Sequence, residues 1–308
     1  MLILLLNNGL IQSSSMNTAL ENTEKIKTIF LETQLFYAKH DDMPALIKYL
    51  EHSEKEFSSI AYESASMAIA LNNFEAGTFP HEWLVFANGA AAAHQAQVYV
   101  GLGWAIAKFN FPFLTAVKEI DTQFYFRIAD GCGYYDGSFK RRQTIIYQQL
   151  PTYLPVAALP MYDQGIGRSI WYTEKADIHK ICSTIETFAA NRHADLWRGV
   201  GIAVAYVGGC DDEELKILWQ YAAVNGFQLA CGAALAARSR TIANTMTDDT
   251  NRCSRLWFAL TATDVQVTAF VSANTLSTTA EERYCDWIKK IEERLAAGFV
   301  VIEGSIKS

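Results

Sequence analysis

Tyr162-Asp163-Gln164-Gly165-Ile166-Gly167-Arg168-Ser169 and Asp195-Leu196-Trp197-Arg198-Gly199-Val200-Gly201 carry the same Gly-x-Gly core. Two more copies precede them, Gly101-Leu102-Gly103 and Gly131-Cys132-Gly133. The first glycines stand at 101, 131, 165 and 199, so the steps are 30, 34 and 34 residues. Degenerate copies extend the series at both ends, Ser64-Ala65-Ser66 and Gly232-Ala233-Ala234. Small residues recurring at this interval mark tandem helical units. A nucleotide-binding reading is set aside. No copy completes Gly-x-Gly-x-x-Gly after a strand, and phosphate loops do not recur at one period.

Apolar residues outside the glycines recur at helical spacing. Helices are expected over about 21–38, 54–73, 88–109, 177–190, 194–207, 211–224, 226–243 and 279–297. Asp42 with Pro44, Asp177 and Asp211 with Glu214 stand where helix starts are capped. Gly77 and Gly208-Gly209 stand where helices end. Alternation of the strand type is confined to one candidate, Asp264 to Val271. The fold class is all-α, built of tandem helical hairpins. It resembles a tetratricopeptide solenoid, whose 34-residue unit carries Trp at position 4 and Gly at 8, as Trp197 and Gly201 do. An α/α toroid is the alternative.

The chain is read as one helical-repeat domain over 16–300, with units over about 59–245. Residues 1–15 are expected to be an extension without a folded role, Met16 being a second candidate start. The 308 residues include 33 Asp and Glu against 26 Lys and Arg, for a net charge of −7. That balance speaks against a nucleic-acid partner. The apolar run Met1 to Leu6 is too short to span a bilayer. The six cysteines and six histidines have no metal-ligand spacing. No metal and no cofactor are expected, and the thiols suit a reducing cytoplasm. His94, in an alanine-rich stretch, is expected to be structural.

Units beginning at Ser59, Ala96, Phe126, Pro160, Ala194 and Phe227 place the second small residue at position 8. Glycine within a helix costs about 1 kcal/mol against alanine. A pair in every unit implies that neighbouring helices touch backbone to backbone. Positions 2, 5, 9 and 12 of each first helix should then face a shared groove. They hold Glu63, Trp104, Arg127, Asp130, Tyr134, Arg168, Trp171, Asp195 and Arg198, and Asp136 and Asp163 extend the set. Arg127 with Asp130, and Asp195 with Arg198, are three residues apart and can meet on one helix face. Plain intrahelical ion pairing is one reading of these charges. A binding or catalytic groove is the other. Asp130 and Asp136 can serve as acid and base, or Asp136 can cap the turn at Gly137.

Five blocks together resemble an uncharacterised bacterial family, a domain of unknown function. They are Ala61-Tyr62-Glu63 with Met67, Val100 to Ala105, Asp130 to Gly137, Tyr162 to Ser169 and Asp195 to Gly201. Some members of that family are encoded in enediyne polyketide biosynthesis clusters. The resemblance implies a bacterial, cytoplasmic protein of specialised metabolism and brings no catalytic residues with it. Two functions are expected. The first is an accessory protein whose groove binds a protein partner or an apolar small molecule. The second is an enzyme using Glu63, Asp130, Asp136 or Asp163 as acid and base, with Arg127, Arg168 or Arg198 holding an anion. Exposed apolar groove surface would let the protein form a homo-oligomer.

Overall fold

The computed structural model describes residues 14–258, 284 and 286–296, with the backbone alone at 14–17 and 258. Every regular element among the described residues is helical. The α-helices are α1 (Ser14–His40), α2 (Met43–Glu51), α3 (Ser58–Ala76), α4 (His81–Asn88), α5 (Gln95–Phe109), α6 (Phe113–Ala116) and α7 (Tyr125–Phe139). They continue with α8 (Leu159–Thr173), α9 (Ile178–Glu186), α10 (Ala190–Val207), α11 (Asp212–Ala222), α12 (Gly226–Ile242), α13 (Asp248–Phe258) and α14 (286–296). The strand candidate at 264–271 and the start of the expected last helix lie outside the described residues.

Local chemistry sets the boundaries. Asp42 accepts from the Ala45 amide at 2.9 Å and Asp177 from the Lys180 amide at 3.1 Å. Asp211 and Glu214 form a reciprocal capping box. Gly77 closes α3 in the left-handed region at φ 68°. Several expected boundaries move, among them the 54–73 helix, which starts at Ser58, and the 177–190 helix, which ends at Glu186. The helix foreseen over 88–109 starts only at Gln95, and Ala90 to Ala93 belong to turns ahead of it. Three-residue 3-10 turns also precede α3, α7, α8 and α12, ending at Phe57, Phe124, Ala158 and Asn225.

Helices α1, α3, α5, α7, α8, α10 and α12 pack side by side in chain order. The glycines explain how. A Cβ on Gly101, Gly131, Gly165, Gly199 or Gly232 would strike the carbonyl oxygen of Glu63, Val100, Asp130, Gln164 or Arg198 respectively. A Cβ on Gly103, Gly133, Gly167 or Gly201 would strike that of Ile128, Tyr162, Leu196 or Leu229. All nine approaches are well inside the 3.0 Å that real Cβ atoms keep. Each seam therefore has position 6 of one helix on the position 5 carbonyl of its predecessor, and position 8 on the position 3 carbonyl of its successor. Backbones this close gain Cα–H to carbonyl contacts as well as dispersion. In α3 serines stand in for glycine and use the same acceptors. Ser64 Oγ donates to Phe30 O at 2.5 Å and Ser66 Oγ to Val98 O at 2.6 Å.

The shorter helices α2, α4, α9 and α11 cover this row with one apolar face each. The first and last parts of the row touch, α1 at α10 and α12 at the turn ahead of α3. Asn22 donates to Val207 O at 3.0 Å, and Arg240, fully buried, donates to Glu56 O at 3.0 Å and Tyr206 O at 2.5 Å. Burial of this charge is offset by bonds to three carbonyls, Thr245 O being the third.

Candidate functional site

Positions 5 and 9 are one helical turn apart, so they share a face. The row of helices turns that face inward. Glu63 on α3, Trp104 on α5, Asp130 and Tyr134 on α7, and Arg168 on α8 are all buried. Asp130 accepts from Arg168 Nη1 and, at 2.6 Å, from Gln164 Nε2. The Arg168 guanidinium lies 4.6 Å over the Tyr134 ring. Trp104 meets Tyr134 edge-on at 4.6 Å and tilts against Phe30 at 4.7 Å. Tyr172 of α8 packs on Tyr134 at 5.4 Å.

Glu63 is the group left over. It is 1% exposed, and its Oε2 has no hydrogen-bond partner. Burial pushes its pKa up to about 8; Arg168 opposes the shift and the Asp130 charge adds to it. Arg168 stays charged, because Asp130 and Glu63 outweigh the burial that opposes its charge. The site thus joins a fixed ion pair to a carboxyl poised to gain or lose a proton near neutrality.

Linkage gives a test. From the ordinary value of 4.5 up to about 8, the unfolded chain loses the Glu63 proton while the folded chain keeps it. Stability therefore falls as pH rises through that window. In Glu63→Gln this dependence should vanish. The unfolding midpoint of the variant, measured against wild type, is expected to climb steadily from pH 5 to pH 8. A difference that stays constant would place the Glu63 titration elsewhere.

Other expected residues sort differently. Asp136 does not join Asp130. Its Oδ2 accepts from Tyr153 at 2.7 Å and Tyr162 at 2.9 Å, and Lys140 sits 2.8 Å from its Oδ1. The proposed acid and base pair of Asp130 and Asp136 is thus not assembled. Asp163 is held bidentately by Arg192 at 2.5 and 2.8 Å. Asp195 pairs with Arg198 at 2.5 Å as expected, and Glu292 of α14 joins them at 3.2 Å. Asp130 turns to α8 rather than to Arg127 on its own helix. Trp171 is fully buried, with no partner for its indole N–H. His94 is structural: Ser59 Oγ lies 2.8 Å from Nδ1, Tyr62 stacks on the ring at 4.0 Å, and burial lowers its pKa to about 4.

Helix α14 and Tyr284 ahead of it supply what the repeat could not announce. Tyr284 donates to Gln164 Oε1 at 2.6 Å and stacks on Phe126 at 4.4 Å. Glu292 also accepts from Gln228 at 3.2 Å. These contacts cover the inward face at the N-terminal halves of α7, α8, α10 and α12. The apolar spacing of Tyr284, Trp287, Ile288, Ile291 and Leu295 is the sequence signal for this contact. A surface hollow of about 760 Å³ between α1 and α2, lined by Lys25, Ile29, Phe36, Tyr49 and His52 among others, contains none of the candidate residues. Among the described residues no group of three His, Cys, Asp or Glu could hold a metal, and no helix is long and apolar enough to cross a membrane.

Residues 8–295 match the family described as Protein of unknown function (DUF1702), and the chain belongs to it. The match begins inside the segment expected to be an extension. No curated protein and no solved structure matches the chain.

Proposed function

We propose that this protein of the DUF1702 family binds a small molecule inside its row of inner helices, against Glu63, Trp104, Tyr134 and Arg168. The observation that carries the reading is the unpartnered Glu63 Oε2, buried beside the Arg168–Asp130 pair. A buried carboxyl without a partner is expensive, and such costs concentrate at functional sites. Trp104 Nε1 and Arg127 Nη2 are likewise buried without partners. Trp104, Tyr134, Arg168 and Tyr172 keep 6 to 8% exposure, while Val98, Leu102 and Ile166 on the same helices have none. That residual exposure supports access to the interior. The aromatic walls suit an apolar or conjugated body, and the charged groups suit a few polar atoms on it.

A second reading, an enzyme, is favoured by the Glu63 pKa of about 8. A carboxyl poised there can donate or accept a proton at neutral pH, with Arg168 and Asp130 as positioning residues.

We read the equal register of the glycine seams as a tandem helical-hairpin array that closes on itself. The contact between its first and last parts favours a toroid over an open tetratricopeptide-like solenoid. We place the protein in bacterial specialised metabolism of the enediyne polyketide type, on the strength of the five sequence blocks. The buried free thiols Cys132, Cys182, Cys210, Cys231 and Cys253 support a reducing, cytoplasmic setting.

Native mass spectrometry of protein purified from its source tests the ligand reading. The expected result is a retained mass of a few hundred daltons that denaturation releases and that Trp104→Ala weakens. Identical native and denatured masses would count against it.

A further inference from the structure

Two arginines face the inside of the row with no carboxylate partner among the described residues. Arg127 of α7 is 4% exposed, and its Nη2 has no hydrogen-bond partner. Arg238 of α12 has a buried Nε in the same condition. The nearby carboxylates are committed: Asp130 to Arg168, and Asp195 and Glu292 to Arg198. Neither Arg127 nor Arg238 forms an ion pair among the described residues.

The two guanidiniums flank one aromatic cluster. Arg127 lies 5.0 Å from the Phe126 ring and Arg238 lies 5.4 Å from the Trp287 ring. Phe126, Tyr284 and Trp287 pack on one another at 4.4 to 6.0 Å. Like charges so placed repel. Burial first, then Arg238, depress the Arg127 pKa to about 10. Cation–π contacts supply only part of what two desolvated cations lose. Their sequence positions, 2 on one unit and 12 on another, are both groove positions of the repeat.

We propose that Arg127 and Arg238 together bind an oxyanion, a carboxylate or phosphate group carried by the interior ligand. Arginine is suited to this because its planar fork meets both groups bidentately. The inference rests on the interior ligand site of the preceding section, and adds the chemical class of one end of that ligand.

The test follows the unfolding midpoint during titration with sodium phosphate and, separately, sodium benzoate, at constant ionic strength with sodium chloride. Wild type, Arg127→Met and Arg238→Met are compared. At least one anion should raise the wild-type midpoint saturably, by about 2 °C or more, and neither variant should respond. Response to phosphate alone assigns a phosphoryl group; response to benzoate alone assigns a carboxylate. In chloride alone, Arg127→Met should unfold above wild type, having lost an uncompensated buried charge. No saturable rise with either anion, or the same rise in both variants, would overturn the proposal. So would a midpoint below wild type for both variants in chloride, which would make the guanidiniums structural. A retained mass seen alongside any of these failures would leave the interior site standing without its anion contact.

Discussion

Gly133→Ala is expected to destabilise the fold by about 3 kcal/mol. Elsewhere in a helix the same change gains about 1 kcal/mol of propensity. Here the new methyl would collide with Tyr162 O, with Tyr162 C and Ile166 N behind it. All three are backbone atoms of α8, so no rotamer change relieves the contact. The only response is separation of α7 from α8, which loses close packing along the whole seam. Gly165→Ala strikes the same seam from the other side, at Asp130 O. The two substitutions should be less than additive, by at least about 0.5 kcal/mol, since one separation relieves both collisions. Gly77→Ala is the contrast. It keeps a left-handed φ of 68° but nothing lies within 4 Å, so a cost nearer 1 kcal/mol is expected. Urea unfolding of the four variants measures these differences. Equal costs at Gly77 and Gly133 would mean that the seams are not the reason for the glycines.

Asp130→Ala is expected to cost about 3–5 kcal/mol, because it strands the buried Arg168 charge. Gln164 loses its acceptor in the same step. Asp130→Leu combined with Arg168→Met should recover most of that loss, since a well-packed apolar pair often equals a buried ion pair in stability. Such recovery would show that folding does not require the pair. If the double variant stays as unstable as Asp130→Ala, the pair is structural after all.

The seams were readable because glycine has one use when repeated inside helices, and the period of 30 to 34 residues carried the register. Ser64 and Ser66 looked like departures from the pattern; their hydroxyls bond the carbonyls that glycine would otherwise lie against. Positions 5 and 9 were readable for the same geometric reason, and they do bring Glu63, Asp130, Tyr134, Trp104 and Arg168 inward. Asp136 was misplaced because six residues amount to about 600° of helix, which turns it some 120° away from Asp130. Tyr153 and Tyr162, from a loop and the next helix, then capture it. The pairing of Arg127 with Asp130 was a fair expectation at a three-residue spacing. It loses because the glycine seam brings Gln164 and Arg168 of the neighbouring helix closer to the carboxylate. The covering by α14 was not readable from the repeat at all. Tyr284 reaches Gln164 across 120 residues, and Glu292 reaches Arg198 across 94. Tyr284 and Glu292 thus cover part of the inward face that the repeat positions alone would leave bare.

Glu63 is the centre of the proposed site, and Glu63→Met tests its role most directly. Methionine keeps the volume and removes the ionisable group. The unfolding midpoint at pH 8 and the mass retained in native spectra are to be read on the same preparation. A midpoint at or above that of wild type, together with loss of the retained mass, is the predicted result. A lower midpoint with the retained mass unchanged would contradict it.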